Sequence, residues 1–188
     1  MKITETDIVD VLHLEPRRFS DDRGWFMESW RASSLKDASG QDINFVQDNH
    51  SFSRHANTVR GLHYQTPPHA QGKLVRCTGG AIVDVAVDFR QNSATFGKWV
   101  SAVLTADKGN MLWVPAGFLH GFSTLQDNCE VQYKCTDYYA GECDANVLWN
   151  DPDLAIDWGR SHDFDPSQVV LSVKDIAAPK FADITSPF

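Results

Sequence analysis

No stretch of this 188-residue chain approaches the roughly 20 apolar residues that a membrane-spanning helix needs, so a membrane partner is not expected. The opening Met-Lys-Ile-Thr-Glu-Thr-Asp is also too polar for a secretory signal. Positive charge is in deficit. Seventeen Lys and Arg stand against 25 Asp and Glu, a formal net charge of −8. That balance argues against a nucleic-acid partner held by general basicity, while a local basic patch can still hold a phosphate. Cysteine is sparse, and Cys77, Cys129, Cys135 and Cys143 show neither C-x-x-C spacing nor the density of a secreted scaffold. Reduced thiols and a cytoplasmic location are expected. There is no H-x-H pair: His63 precedes Tyr64 and Gln65, His69 lies in a proline-rich turn, and His120 is isolated. Those histidines with a carboxylate are the competing metal reading, and metal catalysis is not expected. Repeats and low-complexity linkers are absent too.

What remains is enough for a real core. Hydrophobic residues make up 42% and aromatics 11% of the chain, and the length suits one domain, residues 1–188. Apolar residues from Ile3 to Leu14, closed by Pro16, read as an edge strand. Asp21-Asp22-Arg23-Gly24 is turn chemistry, and the Trp25-Phe26 pair after it is expected in the core. A short helix is predicted around Trp30 to Ala38, ended by Ser39-Gly40. The amide-rich run Phe45 to Ser53 is either a loop or a ligand-lined strand. From Lys73 onward, period-two alternation predicts strands over 73–77, 81–88, 98–104, 111–114, 118–125 and 129–136. Beyond Val147 little looks regular until Val169 to Val173, and the tail from Asp175 suits a short helix. Short strands with turn signals between them indicate an antiparallel sandwich or barrel, all-β with small helical additions.

The chain is organised around Asn57 to Cys77, where Arg60, His63, Lys73 and Arg76 interrupt residues otherwise suited to strands. Two readings are open: a solvated hairpin with one wet face, or side chains aimed into a pocket. Lys73 shares a strand face with Val75 and Cys77, and Tyr133 shares one with Val131 and Cys129. If those apolar faces point inward, a lysine and a tyrosine point inward with them, and each needs a partner or a task. With His63 nearby, a base, an acid and a cation surround one cavity. That trio suits proton abstraction beside a carbonyl, the cation stabilising the enolate oxygen. In a strict strand Arg60 and His63 face opposite ways, so bringing both into one pocket requires a bulge near Gly61.

Arg60-Gly61-Leu62-His63-Tyr64-Gln65, Ala70 to Arg76, Pro115 to Phe122 and Tyr133-Lys134-Cys135-Thr136 resemble the dTDP-4-dehydrorhamnose 3,5-epimerase family. Asp21 to Gly24, Trp149 to Pro152 and Leu171 to Asp175 extend the resemblance over nearly the whole chain. It implies a cupin-like jelly-roll barrel of antiparallel strands, a homodimer, and no metal or organic cofactor. The implied reaction inverts C3 and C5 of dTDP-4-dehydro-6-deoxy-D-glucose to give dTDP-4-dehydro-L-rhamnose. By the same resemblance His63 is the base, Asp175 its orienting carboxylate, Lys73 the oxyanion partner and Tyr133 the proton donor. Tyr139 is implied as a second pocket tyrosine and His120 as a substrate contact. Arg23 and Arg60 are implied at the pyrophosphate, with Phe26, Glu28, Gln47 and Asn49 around the thymidine. The aromatic and amide-rich region from Arg23 to Asn49 exceeds what one small pocket needs, so N-terminal strands are expected to serve the neighbouring subunit. The chain departs from the family pattern between Ala140 and Asn146, where Asp144 stands in for a glutamate. Inversion at C3 alone or C5 alone, or a non-catalytic sugar-nucleotide binder, are the alternative readings. Intact His63, Lys73 and Tyr133 argue against the binder, because binding alone needs neither acid nor base.

Overall fold

A computed structural model describes every residue except 160, 161 and 163. The strands run β1 (Lys2–Glu5), β2 (Leu12–Glu15), β3 (Arg18–Asp21), β4 (Gly24–Met27), β5 (Gln47–Ser53) and β6 (Val59–Gln65). They continue as β7 (Lys73–Gly79), β8 (Ala81–Asp88), β9 (Trp99–Thr105), β10 (Met111–Val114) and β11 (Phe118–Thr124). The last are β12 (Cys129–Cys135) and β13 (Asp144–Asn146), and the α-helices among the described residues are α1 (Ala32–Ser39) and α2 (Val173–Ile176). All the sheet pairings are antiparallel. One sheet has the order β1-β2-β10-β7-β12-β5, the other β13-β6-β11-β8-β9, and β3-β4 form a hairpin of their own.

Alternation fixes which side chains meet between the two main sheets. Val75, Cys77, Leu112, Val114 and Val131 of the first sheet pack with Ile82, Ala86, Val100, Leu104 and Phe122 of the second. The outer face of the second sheet is covered by the segment after β13, through Val147, Trp149, Leu154, Trp158 and Phe164. On the outer face of the first, Leu74, Met111 and Trp113 pack with Leu12, Leu14 and Leu35 of α1. Burial on both faces explains β8, whose eight residues are all buried. Gly40 ends α1 in the left-handed conformation at φ 70°, where a side chain would be strained.

Most predicted elements are present, and the differences have simple causes. The amide-rich run is a strand, β5, because Gln47 to Cys135 and Ser53 to Cys129 pair it along β12. Trp25 and Phe26 do not enter the core. They are 55% and 71% exposed on the β3-β4 hairpin, which pairs only with itself and so has no sheet to pack against. Of the run Val169 to Val173, Val170 makes only an isolated bridge to Thr58, and Val173 already begins α2. Strand β13 is short and carries Asp144, Ala145 and Asn146, too polar a triplet to announce itself. Among the described residues no helix is long and apolar enough to cross a membrane, and the four cysteines are free and buried.

The end of β8 is held by one buried carboxylate. Asp88 accepts hydrogen bonds from the backbone N–H and guanidinium of Arg90 and from the hydroxyls of Ser93 and Thr95, at 2.6 to 3.0 Å. Burial raises the Asp88 carboxyl, but these donors outweigh it and hold it at about 2. The stability it contributes is therefore complete above an unfolded value of about 3.9 and is lost as pH falls toward the folded value. Asp88→Asn is expected to cost about 3 kcal/mol in denaturant unfolding at pH 7. It should also flatten the fall in melting temperature between about pH 4 and pH 2. An unchanged acid limb would show that Asp88 does not carry it.

Candidate active site

The space between the sheets is apolar at the β9-β10 side and polar at the β5-β6 side. On the first sheet, cross-strand pairs place Asn49, Tyr133 and Val75 in one row, and Gln47, Cys135 and Lys73 in the next. On the second, His63, His120 and Ala86 form a row, and Arg60, Phe122 and Asp84 another. Two of the rows end on apolar Val75 and Ala86, and the other two end on the buried charges Lys73 and Asp84. Arg60, His63, Lys73, His120, Tyr133 and Asp175 line one cavity of about 380 Å³.

The predicted bulge is there. Along β11 His120 to Phe122 is two steps, yet their partners His63 and Arg60 are three apart on β6. The extra residue returns Arg60 to the face of His63. Gly61 supplies the conformation, at φ +132°, where L side chains are strained. A Cβ on Gly61 would also lie 2.6 Å from the Gly121 Cα. Arg60 is then steadied from β5, its Nε donating to Ser53 Oγ at 3.1 Å and its Nη2 to the Phe52 carbonyl at 2.9 Å.

His63 Nε2 lies 2.6 Å from Asp175 Oδ1. With Nε2–H donated to the carboxylate, Nδ1 is the basic nitrogen of the ring. The carboxylate is itself fixed. Ser172 caps α2, its hydroxyl accepting from the Asp175 backbone N–H and donating to Asp175 Oδ2 at 2.8 Å. Burial raises the Asp175 carboxyl, but His63, Ser172 and Lys174 outweigh that and leave it lowered, so it stays ionised beside the imidazole.

Lys73 is 9% exposed. Burial draws its ammonium below the ordinary lysine range, while Cys135, Asp144 and Asp84 favour the charged form and Lys174 opposes it. A poorly hydrated cation of this kind is suited to a developing oxyanion. Burial also raises the Tyr133 phenol, with Cys135 and Asp144 acting the same way and Arg60 against them. The hydroxyl therefore holds its proton at neutral pH and can donate it. His120 lines the cavity and places Nε2 2.8 Å from Asp84 Oδ1. Asp84 is fully buried, and its other oxygen has no hydrogen-bond partner. Burial raises that carboxyl, opposed by His120 and Lys73.

The cavity continues into a second of about 490 Å³, which shares His63, Lys73 and Tyr133 and adds Gln47, Asn49, Tyr139 and Asp144. Gln47 Nε2 donates to Asn49 Oδ1 at 3.0 Å, and Gln47 Oε1 accepts from the Tyr139 N–H at 2.9 Å. Asp144 is bound to Lys174 and accepts from the Tyr139 hydroxyl at 3.3 Å. Three of the expected residues lie elsewhere. Arg23, on the β3-β4 turn, has an 89% exposed side chain paired with Asp21, Phe26 faces solvent, and Glu28 pairs with Arg31. None of the three lines either cavity of its own chain.

Sequence reasoning passed over Asp84 and Lys174. A charged residue inside the apolar run Ala81 to Val87 is the signal that points to Asp84, whereas nothing local marks Lys174. Among the described residues no group of three or more His, Cys, Asp or Glu is placed to hold a metal ion.

The family model for dTDP-4-dehydrorhamnose 3,5-epimerase matches residues 5–183. The enzyme of that name from Escherichia coli (strain K12) is 52% identical over 175 residues, covering 93% of this chain and 91% of its own. A crystal structure from Legionella pneumophila in complex with dTDP-4-keto-L-rhamnose matches with a TM-score of 0.90 at 42% identity, over 97% and 94% of the two chains. A 3'-monoepimerase from Streptomyces bikiniensis, solved with dTDP-quinovose, matches at 0.85 and 35% identity, over 95% and 87%. Fold and sequence coincide over nearly the full length, and the chain belongs to the dTDP-4-dehydrorhamnose 3,5-epimerase family.

Proposed function

We propose that this chain epimerises dTDP-4-dehydro-6-deoxy-D-glucose at C3 and C5, giving dTDP-4-dehydro-L-rhamnose. The observation that carries the reading is one cavity holding a carboxylate-oriented histidine, a protonated tyrosine and a buried lysine. The C4 carbonyl acidifies the hydrogens on both neighbouring carbons. His63 removes one of them, Lys73 takes up the enolate charge on the C4 oxygen, and Tyr133 returns a proton. Asp175 holds His63 in the tautomer whose Nδ1 is basic. Removal on one face and return on the other gives inversion, which a single group on one side does not readily supply. The reading treats residues 1–188 as one jelly-roll unit working in a reducing cytoplasm, in keeping with its four free cysteines. A narrower C3 epimerase is the second reading, favoured by the likeness to the 3'-monoepimerase.

Solvent deuterium incorporation, read separately at C3 and C5, tests both readings. His63→Asn is expected to abolish exchange and inversion together, because no enolate forms. Tyr133→Phe should keep some exchange, with retention, while inversion drops steeply. Wild-type inversion rates in Tyr133→Phe would make Tyr133 a packing residue, and label at C3 alone would establish the narrower activity.

Arg60 offers a fixed guanidinium to the pyrophosphate of the nucleotide in an otherwise acidic protein. Arg60→Ala should weaken dTDP binding by roughly 2 kcal/mol with the fold intact, since it leaves a charged partner unpaired. Calorimetric titration giving an unchanged affinity would remove Arg60 from the binding site.

Arg23, Phe26 and Glu28 fit this reading if a second copy brings them. The β3-β4 hairpin exposes Phe19, Trp25 and Phe26, and the free edge of β5 borders the cavity. In such a homodimer each hairpin completes the site of its neighbour. Arg23→Ala and His63→Asn, each nearly inactive alone, should then complement on mixing after dissociation. Half the dimers would be mixed, each with one intact site, restoring about a quarter of wild-type activity. An active monomer by light scattering, or no recovery in mixed dimers, would refute the arrangement.

A further inference from the structure

Tyr139 poses a mechanical problem. Its ring lines the cavity beside Tyr133 yet the residue is 63% exposed. Its hydroxyl contact is a 3.3 Å hydrogen bond to Asp144. A side chain with so little packing stands where its backbone puts it. That backbone belongs to the connection between β12 and β13, outside the sheet ladders.

The connection is tied from β6. Gln65, two residues after His63, is 4% exposed. A carboxamide carries two N–H donors and an acceptor oxygen, and here all are used on backbone. Nε2 donates to the Tyr138 carbonyl at 3.1 Å and to the His69 carbonyl at 2.6 Å. Oε1 accepts from the Ala140 N–H at 2.9 Å. One side chain thus grips the peptide groups on both flanks of Tyr139, while Gln47 holds the N–H of Tyr139 itself. The second tie, to His69, anchors the turn through Pro67 and Pro68, which is joined to the same connection by the His69–Asp137 pair.

We propose that Gln65 is a positioning residue for substrate affinity: it fixes the peptide groups around Tyr139 and so holds that ring over the cavity. The inference rests on the nucleotide-sugar reading above. Gln65 does no chemistry on the sugar, so its loss acts on binding of the nucleotide sugar and leaves proton transfer alone.

Gln65→Glu keeps the size and turns the donor into an oxygen facing two carbonyl oxygens. KM for the 4-dehydro sugar nucleotide, and Kd for dTDP, should rise about tenfold or more, with kcat within about twofold. Tyr139→Ala should raise both constants similarly, and the double variant should be no worse than Tyr139→Ala alone. Gln65→Met, which removes both donors without adding charge, repeats the measurement if the glutamate variant does not fold. In the unaltered protein the Ala140 amide should exchange slowly with solvent and more slowly with dTDP bound. Unchanged constants in a folded variant, a full Gln65 penalty in the Tyr139→Ala background, a loss confined to kcat, or a rapidly exchanging Ala140 amide would each overturn the proposal. A wild-type protein that binds dTDP without epimerising would refute the proposed activity, and the Kd comparison would still decide the role of Gln65.

Discussion

The site depends on two strands approaching more closely than side chains permit. Where β6 passes β11, a Cβ on Gly61 would sit 2.6 Å from the Gly121 Cα, and one on Gly121 would sit 2.9 Å from the Arg60 carbonyl. Only glycine on both sides allows this contact. The bulge it accommodates turns Arg60 and His63 to the same side, and from that follow the rows of polar residues facing β5, β7 and β12. Filling either glycine would disturb the placement of Arg60 and His63 together, because one backbone irregularity sets both.

Concentrating polar groups at one end of a sandwich opposes folding, since each buried charge loses hydration. Lys73 and Asp84 illustrate the cost: both are drawn away from their ordinary ranges by burial, and one oxygen of Asp84 finds no protein donor. The remainder of the molecule offsets this through the apolar layer of the sandwich and the clusters outside both sheets. Stability and chemistry are thus separated in space. The polar groups that line the cavity gather on the β5-β6 side and the packing groups on the other.

The same separation governs what was legible beforehand. Strands with a clean period of two, from Lys73 onward, could be read because each has one consistently apolar face. The inward orientation of Lys73 and Tyr133 followed from their apolar neighbours two residues away, and the bulge near Gly61 from the opposed parity of Arg60 and His63. The roles of Asp175 and Tyr139 were not local in this way. They came from likeness to a family, since no pattern joins Asp175 to His63. Trp25 and Phe26 were misread because hydrophobicity reports a need for cover without saying whose surface provides it. Asp84 was missed because a fully buried strand reads as core, and its single carboxylate was absorbed into that reading.

His63 and Asp175 stand 112 residues apart in sequence and in hydrogen-bond contact in the fold. At a synthesis rate of about 5–20 residues per second, the histidine leaves the ribosome on the order of ten seconds before its carboxylate exists. Throughout that interval the imidazole is without the carboxylate it pairs with in the fold. The segment between β13 and α2 covers the second sheet with Trp149 and Trp158, and α2 after it carries Asp175. A cut between β13 and α2 would part this imidazole from the carboxylate it pairs with.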